Sequence, residues 1–459
     1  MENFFKHKNL FLSFIILTFF IFFFKLCYKK IPIRFWDEHD WIAKSYYFDL
    51  FVKGDFNNEL WFTIDSYDQP KLTEYLYGLA IYPYYLNYKK NKEVDFIEFL
   101  IDHNFYKVSS LKYKNYKSKK VDFVEWGKNP KEVFDVSPDY LIKKFGKNIQ
   151  KTIDLIFAAR RINIFILSFN VLVVYFLSFI LSNSSFISFL TALFFGTNIL
   201  VVSASLRAQS DGLFLFLFNI CLLFLVLFFR KNRYPFKIGL LFFIFSAFLN
   251  ATKINGVMMV FIFDLLVIIV LIYNYIFKNK IVYRLLKTLI VGNFLFIFLF
   301  IAHHYLLLKL PIKGTILLYK HRQQQALHQA RYELPDTALW TFKDRLKALY
   351  TNFFSTEGVR NFNNYYPIKN LIDKHHRFFS KFFLITFILG FIVFVIKKGE
   401  EFWFFILTFI FLIIITGFYL LLNWDRYLLS FYFFIIFHYF ILIESCLKGN
   451  KGEINKHSR

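Results

Sequence analysis

Two adjacent carboxylates follow the first long apolar run of the chain. Asp37 and Glu38 lie in the stretch Arg34-Phe-Trp-Asp-Glu-His-Asp-Trp41. Paired carboxylates in a partly apolar setting suit general-base catalysis, since a neighbouring negative charge favours proton uptake. They also suit a divalent cation, which prefers oxygen ligands. The pair alone is also typical of a solvated loop, so its interpretation depends on the elements around it.

Cations close to apolar runs are candidate ligands for an anionic group. Arg207, Lys253 and Arg426 each lie in a short polar turn between two apolar runs, and Lys71 follows Pro70. Arg and Lys bind phosphate oxygens through charge-assisted hydrogen bonds. The alternative is that these side chains snorkel to the membrane surface from the end of a helix.

Further polar residues are candidates for substrate binding or for support of the site. They are Asp68, Asp211, His321 and Arg322. If catalysis needs a divalent metal ion, the candidate oxygen ligands are Asp37, Glu38 and Asp68. No spacing in the sequence demands a metal, so the sequence leaves that cofactor open.

The composition identifies the class of protein that must position these residues. Hydrophobic residues make up 57% of the 459 residues, and the net charge is +24. Apolar runs long enough to cross a hydrocarbon layer of ~30 Å recur along the chain. Cations gather near anionic headgroups in such proteins, and no nucleic-acid-binding signature is present. The sequence predicts an all-α polytopic membrane protein.

Ten apolar segments are predicted to span the membrane. They lie at 10–28, 156–181, 186–204, 212–229, 238–250, 254–276, 288–308, 379–396, 402–422 and 427–446. The chain then divides into a first span (1–28), an external stretch (29–155), spans two to seven (156–309), a second external stretch (310–378), spans eight to ten (379–446) and a tail (447–459).

The distribution of Lys and Arg predicts the orientation. With the N-terminus inside, the inner segments carry sixteen Lys and Arg residues, whereas the short outer turns carry only Arg207, Lys253 and Arg426. Since these residues accumulate in cytoplasmic loops, both termini are predicted to be cytoplasmic and both long polar stretches external. A cation that opposes this bias beside a span is a functional candidate.

The segment after Pro70 predicts an interfacial helix. Residues 73–85 are rich in Tyr and Leu, which suits a helix lying on the membrane with Tyr at headgroup depth. Pro70 suits its start, and Lys71 is expected in the first turn, near a lipid phosphate. The later stretch 310–378 predicts either a helix that caps the site or a solvated amphipathic loop.

Taken in their order along the chain, these motifs resemble those of the protein O-mannosyltransferases and aminoarabinose transferases. Both are glycosyltransferases of the GT-C fold. The acidic pair Asp37-Glu38 resembles the acidic pair in the first outer loop of these enzymes. Tyr-Asp68-Gln-Pro-Lys-Leu resembles their acidic-x-Pro-Pro-Leu segment, with Lys71 in place of the second proline. The other matching stretches are Ala158-Ala-Arg-Arg-Ile162, Arg207-Ala-Gln-Ser-Asp-Gly-Leu-Phe214, Ala251-Thr-Lys-Ile-Asn-Gly256 and Trp424-Asp-Arg-Tyr-Leu-Leu429.

The resemblance implies an inverting sugar transfer from a polyprenyl-phosphate donor on the outer face of the membrane, in bacteria the cytoplasmic membrane. It implies that Asp37 is the general base, supported or replaced by Glu38. Lys71, Arg207, Lys253 and Arg426 would then stabilise the departing phosphate. The acceptor is left open among a protein, a glycolipid, a polysaccharide and a growing oligosaccharide.

Two other classes of protein remain as alternatives. A transporter or lipid flippase also has many helices, but it typically shows internal repeats and charged or broken spans near the midplane. This sequence shows no repeat, and its distinctive charges cluster at one face. A non-catalytic membrane scaffold is the third interpretation. The pattern favours the enzyme.

Overall fold

The computed structural model describes residues 7–105, 135–230, 234–276, 281–333, 335–353, 369–422 and 425–454. Within these ranges the chain forms helices and no β-strand. Two isolated antiparallel β-bridges are present, between Ile33 and Val136 and between Ala338 and Leu422. The predicted all-α fold is therefore confirmed for the described residues.

The α-helices follow the apolar runs and also occupy much of the polar stretches between them. In chain order they are α1 (His7–Cys27), α2 (Phe35–Ala43), α3 (Tyr46–Val52), α4 (Ile64–Asp68), α5 (Leu72–Lys89), α6 (Phe96–Asp102), α7 (Pro138–Phe145), α8 (Gln150–Ser182), α9 (Ser185–Thr197), α10 (Ile199–Leu206), α11 (Ser210–Phe229), α12 (Phe236–Thr252), α13 (Val257–Ile276), α14 (Ile281–Ala302), α15 (Tyr305–Lys309), α16 (Pro311–His328), α17 (Phe342–Phe353), α18 (Lys369–Tyr419) and α19 (Tyr432–Ile454).

Several of these helices have the length and composition of membrane spans. Six helical segments of the described chain are long and apolar enough to cross a membrane, and a bent pair of shorter helices would be a seventh. The six lie in α8, α11, α13, α14, α18 and α19, whereas α1 and α12 are apolar but shorter. This arrangement is consistent with a polytopic membrane protein.

The bent pair consists of α9 and α10, whose axes differ in direction by 58°. Asn198 separates them with an extended backbone, and its side-chain oxygen accepts hydrogen bonds from the N–H groups of Leu200 and Val201 at 3.0 and 3.2 Å. An Asn that caps the second helix satisfies donors that the break would otherwise leave unpaired. The break falls inside the predicted third segment, 186–204.

Helix α18 doubles back on itself at Phe402, where the backbone leaves helical geometry. The ring centroids of Phe387 and Phe409 lie 5.8 Å apart, although a straight helix would separate these residues by ~33 Å at 1.5 Å per residue. The two halves therefore pack side by side as an antiparallel hairpin. They correspond to the predicted segments 379–396 and 402–422.

Helix α14 differs from the predicted seventh segment, 288–308. It begins earlier, at Ile281, and ends at Ala302. His304 then accepts a hydrogen bond on Nδ1 from the Leu306 N–H at 3.0 Å and so caps the short helix α15. Local capping by this histidine ends the apolar helix before the apolar composition ends.

The first polar stretch forms a subdomain with its own apolar core. Phe35, Trp61, Tyr77, Phe96 and Leu141 are all fully buried in one cluster, separate from the large cluster inside the helix bundle. Helix α5 confirms that a helix follows Pro70, and Tyr77 on α5 faces this core. The predicted position of this helix at the membrane surface stays a prediction. The aromatic residues scattered through 29–105 therefore serve mainly to build that core.

Both long polar stretches meet the bundle at the same end, which we name the loop end. The first is joined to the start of α8 by a pair between Glu38 and Arg160. The second is joined to the end of α18, where Arg345 donates to the Gly417 carbonyl at 3.2 Å. Their shared end agrees with the predicted topology. The side of the membrane on which that end lies stays a prediction.

Candidate active site

Glu38 is a heavily bonded carboxylate at the loop end. Its two oxygens accept hydrogen bonds from Arg160 Nε and Nη2, both at 2.7 Å. They also accept from the backbone N–H groups of Ala208 at 2.7 Å and Arg34 at 3.1 Å. Both Glu38 and Arg160 are fully buried, so this bidentate pair exists in a region without solvent.

The remaining N–H groups of Arg160 bind the end of the first apolar segment. They donate to the carbonyl oxygens of Tyr28, Ile31 and Pro32 at 2.8, 2.9 and 3.1 Å. Arg160 thereby connects α8 to α2 and to the turn after α1. The geometry gives Glu38 a positioning role, because its acceptor capacity is already used.

Asp37 precedes Glu38 in the first turn of α2 and is half-buried. The ion pair of its neighbour fixes the helix that carries it. A carboxylate that keeps some access to solvent on a rigid helix suits proton transfer better than one enclosed in an ion pair. The acidic pair therefore divides into a fully buried Glu38 and a half-buried Asp37.

Arg207 is buried beside the first polar stretch. Its guanidinium contacts the carboxylate of Asp135 and donates from Nε to the Pro32 carbonyl at 3.3 Å. Asp135 also binds Arg34 Nη2 at 2.8 Å. Burial lowers the pKa of Arg207 to about 10, and the like charge of Arg34 acts in the same direction. Arg207 thus links the turn before α11 to residues of the first polar stretch.

The backbone of this turn is held as firmly as its side chain. Tyr77 on α5 donates to the Gln209 carbonyl at 2.6 Å, and Asn163 on α8 donates to the Arg207 carbonyl at 2.5 Å. The predicted turn 205–212 therefore packs between α5, α8 and α2. The acidic pair and the turn 205–212 are far apart in the sequence, but they lie next to each other in the structure.

A second group of charges lies where α4, α5 and α16 meet, and we name it the charged cluster. It contains Lys44, Asp65, Asp68, Lys71, Glu74, His321 and Arg322. At its centre Lys44 contacts both Asp68 and, at 2.9 Å, Asp40. Arg322 binds Asp68 at 3.0 Å from the other side. Asp68 and Arg322 were both predicted site residues, and the structure brings them together.

Lys71 lies inside the charged cluster and is fully buried. Its ammonium binds Glu74 at 2.8 Å and the Asp65 carbonyl at 2.9 Å, and it lies 4.1 Å from the centroid of the Tyr47 ring. Burial raises the pKa of Glu74 to about 7 despite the attraction of Lys71. The structure places this ammonium within the protein, and not at the surface position expected from the sequence.

Asp65 is a member of the charged cluster that sequence reasoning missed. Its Oδ2 atom is buried and accepts no hydrogen bond within the described part of the chain. Burial raises the pKa of the Asp65 carboxyl, while Lys44, Lys71 and the nearby His321 oppose that shift. A carboxyl whose pKa is raised by burial, and which lies among cations, is a feature of functional sites. Its spacing of three residues from Asp68 is the only signal in the sequence.

Lys253 contacts the carboxylate of Asp211, so the turns before α11 and α13 are joined. Tyr319 on α16 also exchanges hydrogen bonds at 3.2 Å with Asn250 at the end of α12. Four regions predicted separately therefore converge at the loop end: the first polar stretch, the turns 205–212 and 250–256, and α16. The side chain of Arg426 lies outside the described residues.

The described residues offer no ready metal site. Among them no three His, Cys, Asp or Glu side chains are grouped to hold an ion. Of the candidate ligands, Glu38 and Asp68 are engaged by Arg160, Lys44 and Arg322. A metal would need to displace at least one of these partners.

Comparisons with known proteins identify no relative. No protein-family model, no curated protein and no solved structure matches this chain. The likeness to GT-C glycosyltransferases rests on the motifs alone, and the family stays a prediction.

Asp68 in the charged cluster makes the stability of the folded chain sensitive to acid. Burial alone would raise the pKa of Asp68, but the charges of Lys44 and Arg322 lower it. Because the pKa of Asp68 is lower in the folded chain than in the unfolded chain, its ionised carboxylate stabilises the fold at pH values above the ordinary pKa of Asp. This stabilisation is lost progressively as the pH falls from the ordinary pKa through the lower pKa of the folded chain. We expect Asp68→Asn to be less stable than wild type at neutral pH, by ~3 kcal/mol, and to lose less on acidification.

Thermal unfolding of the detergent-solubilised protein from about pH 7 to about pH 3 measures this difference. Asp139→Asn, at an exposed position on α7, is the matched control and should follow wild type. Parallel pH profiles for wild type and Asp68→Asn would show that the Lys44–Asp68–Arg322 contacts do not contribute.

Proposed function

We propose that this protein is an integral membrane glycosyltransferase that transfers a sugar from a polyprenyl-phosphate donor to an acceptor. The observation that carries the proposal is the bonding of Glu38 to the Ala208 N–H at 2.7 Å. It joins the acidic pair to the Arg207 turn, and these are two of the motifs on which the family likeness rests. Motifs that belong to one active site must meet in the folded chain.

The proposed topology has ten spans, with both termini cytoplasmic and the loop end outside. Ten helices result if the pair α9 and α10 crosses once, the hairpin α18 crosses twice, and the shorter helices α1 and α12 cross as well. The inner segments carry sixteen Lys and Arg residues against three in the short outer turns, and this difference supports the orientation. A polyprenyl-phosphate sugar would then present its phosphate at the loop end.

In the proposed reaction Asp37 accepts the proton of the acceptor hydroxyl. The hydroxyl oxygen then attacks the anomeric carbon, a new C–O bond forms, and the bond from that carbon to the phosphate oxygen breaks with inversion. Polyprenyl phosphate leaves as an anion. Glu38 and Arg160 hold α2 in place, so that Asp37 has a fixed position.

The cations of the loop end would stabilise the leaving phosphate. Lys253 and Arg322 are the best placed, because each side chain keeps 18% of its surface exposed. Lys71 and Arg207 are enclosed by Glu74 and Asp135, so we assign them to shaping the site. Arg426 remains a candidate on the basis of its sequence position.

Arg322 gives the cleanest test of donor binding, since Asp68 keeps its contact with Lys44 when Arg322 is removed. We expect Arg322→Gln to raise the KM for the donor about ten- to a hundredfold, because a hydrogen bond to a charged group contributes ~1.5–3 kcal/mol. Lys143→Gln, which removes an exposed cation from α7, is the control. An unchanged KM in Arg322→Gln would remove this residue from the donor site.

A transporter or flippase remains the alternative function. It would move the lipid-linked sugar or another solute across the membrane without breaking a bond. Most ion pairs of the described residues lie at the loop end, which supports interfacial chemistry. A non-catalytic scaffold would bind without either reaction.

The proposal is tested by incubating the purified protein with a panel of radiolabelled polyprenyl-phosphate sugars and candidate acceptors. We expect one donor to be consumed, with label appearing in a glycosylated acceptor and polyprenyl phosphate released. Unmodified donor that changes sides in sealed vesicles would instead support a flippase. If no donor is consumed or moved, the enzyme proposal fails.

A further inference from the structure

The α15–α16 segment carries large apolar side chains that the protein leaves uncovered. Ile312 and Ile316 are 78% and 59% exposed, and Leu308 on α15 is 50% exposed. Ile312 and Ile316 lie one helical turn apart and therefore share a face. On the other side of α16, Gly314 and Leu318 are buried against the protein. The first half of α16 thus carries apolar residues both on the side that packs against the protein and on the exposed side.

The position of this segment in the chain restricts what can cover the open face. Helix α14, a candidate membrane span, ends at Ala302, and α15 begins at Tyr305. Buried Leu318 belongs to one apolar cluster with Phe300 near the end of α14 and with Leu307. The first half of α16 is therefore held against the end of that candidate span. If α14 crosses the membrane, its end lies where hydrocarbon gives way to headgroups.

Lysines surround the exposed apolar face. Lys309, Lys313 and Lys320 are exposed beside it, and the Lys309 ammonium lies 4.8 Å from the centroid of the Phe62 ring. Apolar side chains flanked by Lys are typical of helices that lie in the surface of a bilayer with anionic lipids. A soluble protein partner would not explain why the exposed apolar face lies directly after a candidate membrane span.

We propose that the first half of α16 inserts its Ile312 and Ile316 face into the lipid leaflet at the loop end, with the flanking lysines among the headgroup phosphates. The second half of the helix then extends over the charged cluster. It reaches the cluster through Arg322 to Asp68, and it reaches the end of α12 through Tyr319 to Asn250. Lipid contact thereby holds α16 over the site, whatever reaction takes place there.

The test uses fluorescence from single cysteines in the full chain, in nanodiscs of phosphatidylethanolamine and phosphatidylglycerol. Cys27 and Cys446 are first replaced by serine, and Cys221 is buried. An environment-sensitive fluorophore is attached at Ile312→Cys or, as the control, at Gln324→Cys. Gln324 is exposed on the same helix, ~18 Å further along it at 1.5 Å per residue. Lipids spin-labelled near the headgroup act as quenchers.

We expect quenching at position 312 to be at least three times that at position 324, with blue-shifted emission at 312 alone. Lys309→Gln with Lys313→Gln should reduce the quenching in anionic nanodiscs towards its value in pure phosphatidylcholine. Equal quenching at both positions would overturn the proposal. So would shielding of position 312 that requires two copies of the chain per nanodisc, since a second copy would then cover the face.

Thermal unfolding of each variant shows whether the chain is still folded, and neither readout depends on turnover. A failure of the lipid contact is therefore distinguishable from a failure of the proposed glycosyltransferase activity.

Discussion

Replacing Asp37 by Asn should lower the turnover number of sugar transfer by about 10²–10⁴-fold, the usual contribution of a positioned general base. The substitution keeps the size and shape of the side chain but removes the proton acceptor. Because Glu38 and Arg160 still hold α2, the thermal stability and the donor KM should change little. The measurement is steady-state transfer at saturating donor, together with thermal unfolding of the same preparation.

Two matched variants make this prediction specific. Asp139→Asn changes an exposed carboxylate on α7 and should leave turnover unchanged. Asp65→Asn tests the carboxyl of Asp65 in the charged cluster. Its buried Oδ2 atom accepts no hydrogen bond from the described residues, which makes Asp65 the strongest competitor of Asp37 for the role of base. If Asp37→Asn keeps full activity and Asp65→Asn loses it, the base belongs to the charged cluster and not to α2.

Breaking the pair of Glu38 and Arg160 should have the largest effect on folding. Each side chain is fully buried, and Glu38 also binds the N–H groups of Ala208 and Arg34. Removing one partner leaves an uncompensated buried charge, which costs ~3–5 kcal/mol. We expect Glu38→Gln and Arg160→Met each to lower the thermal unfolding temperature strongly and to reduce the yield of folded protein.

The control for this prediction is the exposed pair of Lys92 and Asp102, which are 3.0 Å apart. Surface ion pairs contribute little, so Asp102→Asn should unfold close to the wild-type temperature. The double variant Glu38→Met with Arg160→Met should recover part of the loss, since it leaves no buried charge unpaired. Full stability in Glu38→Gln alone would contradict the positioning role of the pair.

Much of the helical architecture is predictable because it depends on the length of apolar runs. Each of the ten apolar segments falls mainly within a described helix, and the polar residues near Lys397 mark the place where α18 reverses. The end of α14 was harder to predict, because His304 stops the helix while apolar residues continue. A small external subdomain was one of two interpretations of residues 87–150, but the apolar core of the first polar stretch was not predicted, since it combines aromatic residues from short helices without a regular period.

The candidate site was predictable in its location but not in its bonding. Cations that oppose the charge bias identified Arg207 and Lys253, and both lie at the loop end. Their partners, Asp135 and Asp211, depend on how distant segments pack. Arg160 stands at the start of a span like the other cations, yet only the structure shows that its partner is Glu38.

The proposed sugar transfer at the loop end can be measured directly by following the bond between the sugar and the phosphate of the donor. Wild type and Asp37→Asn, reconstituted in proteoliposomes, are given the donor selected from the panel, and release of polyprenyl phosphate is counted against glycoside formed. We expect one glycoside per polyprenyl phosphate released by wild type, and a rate at least a hundredfold lower in folded Asp37→Asn. Equal rates in the two proteins, or an intact donor with wild type, would contradict it.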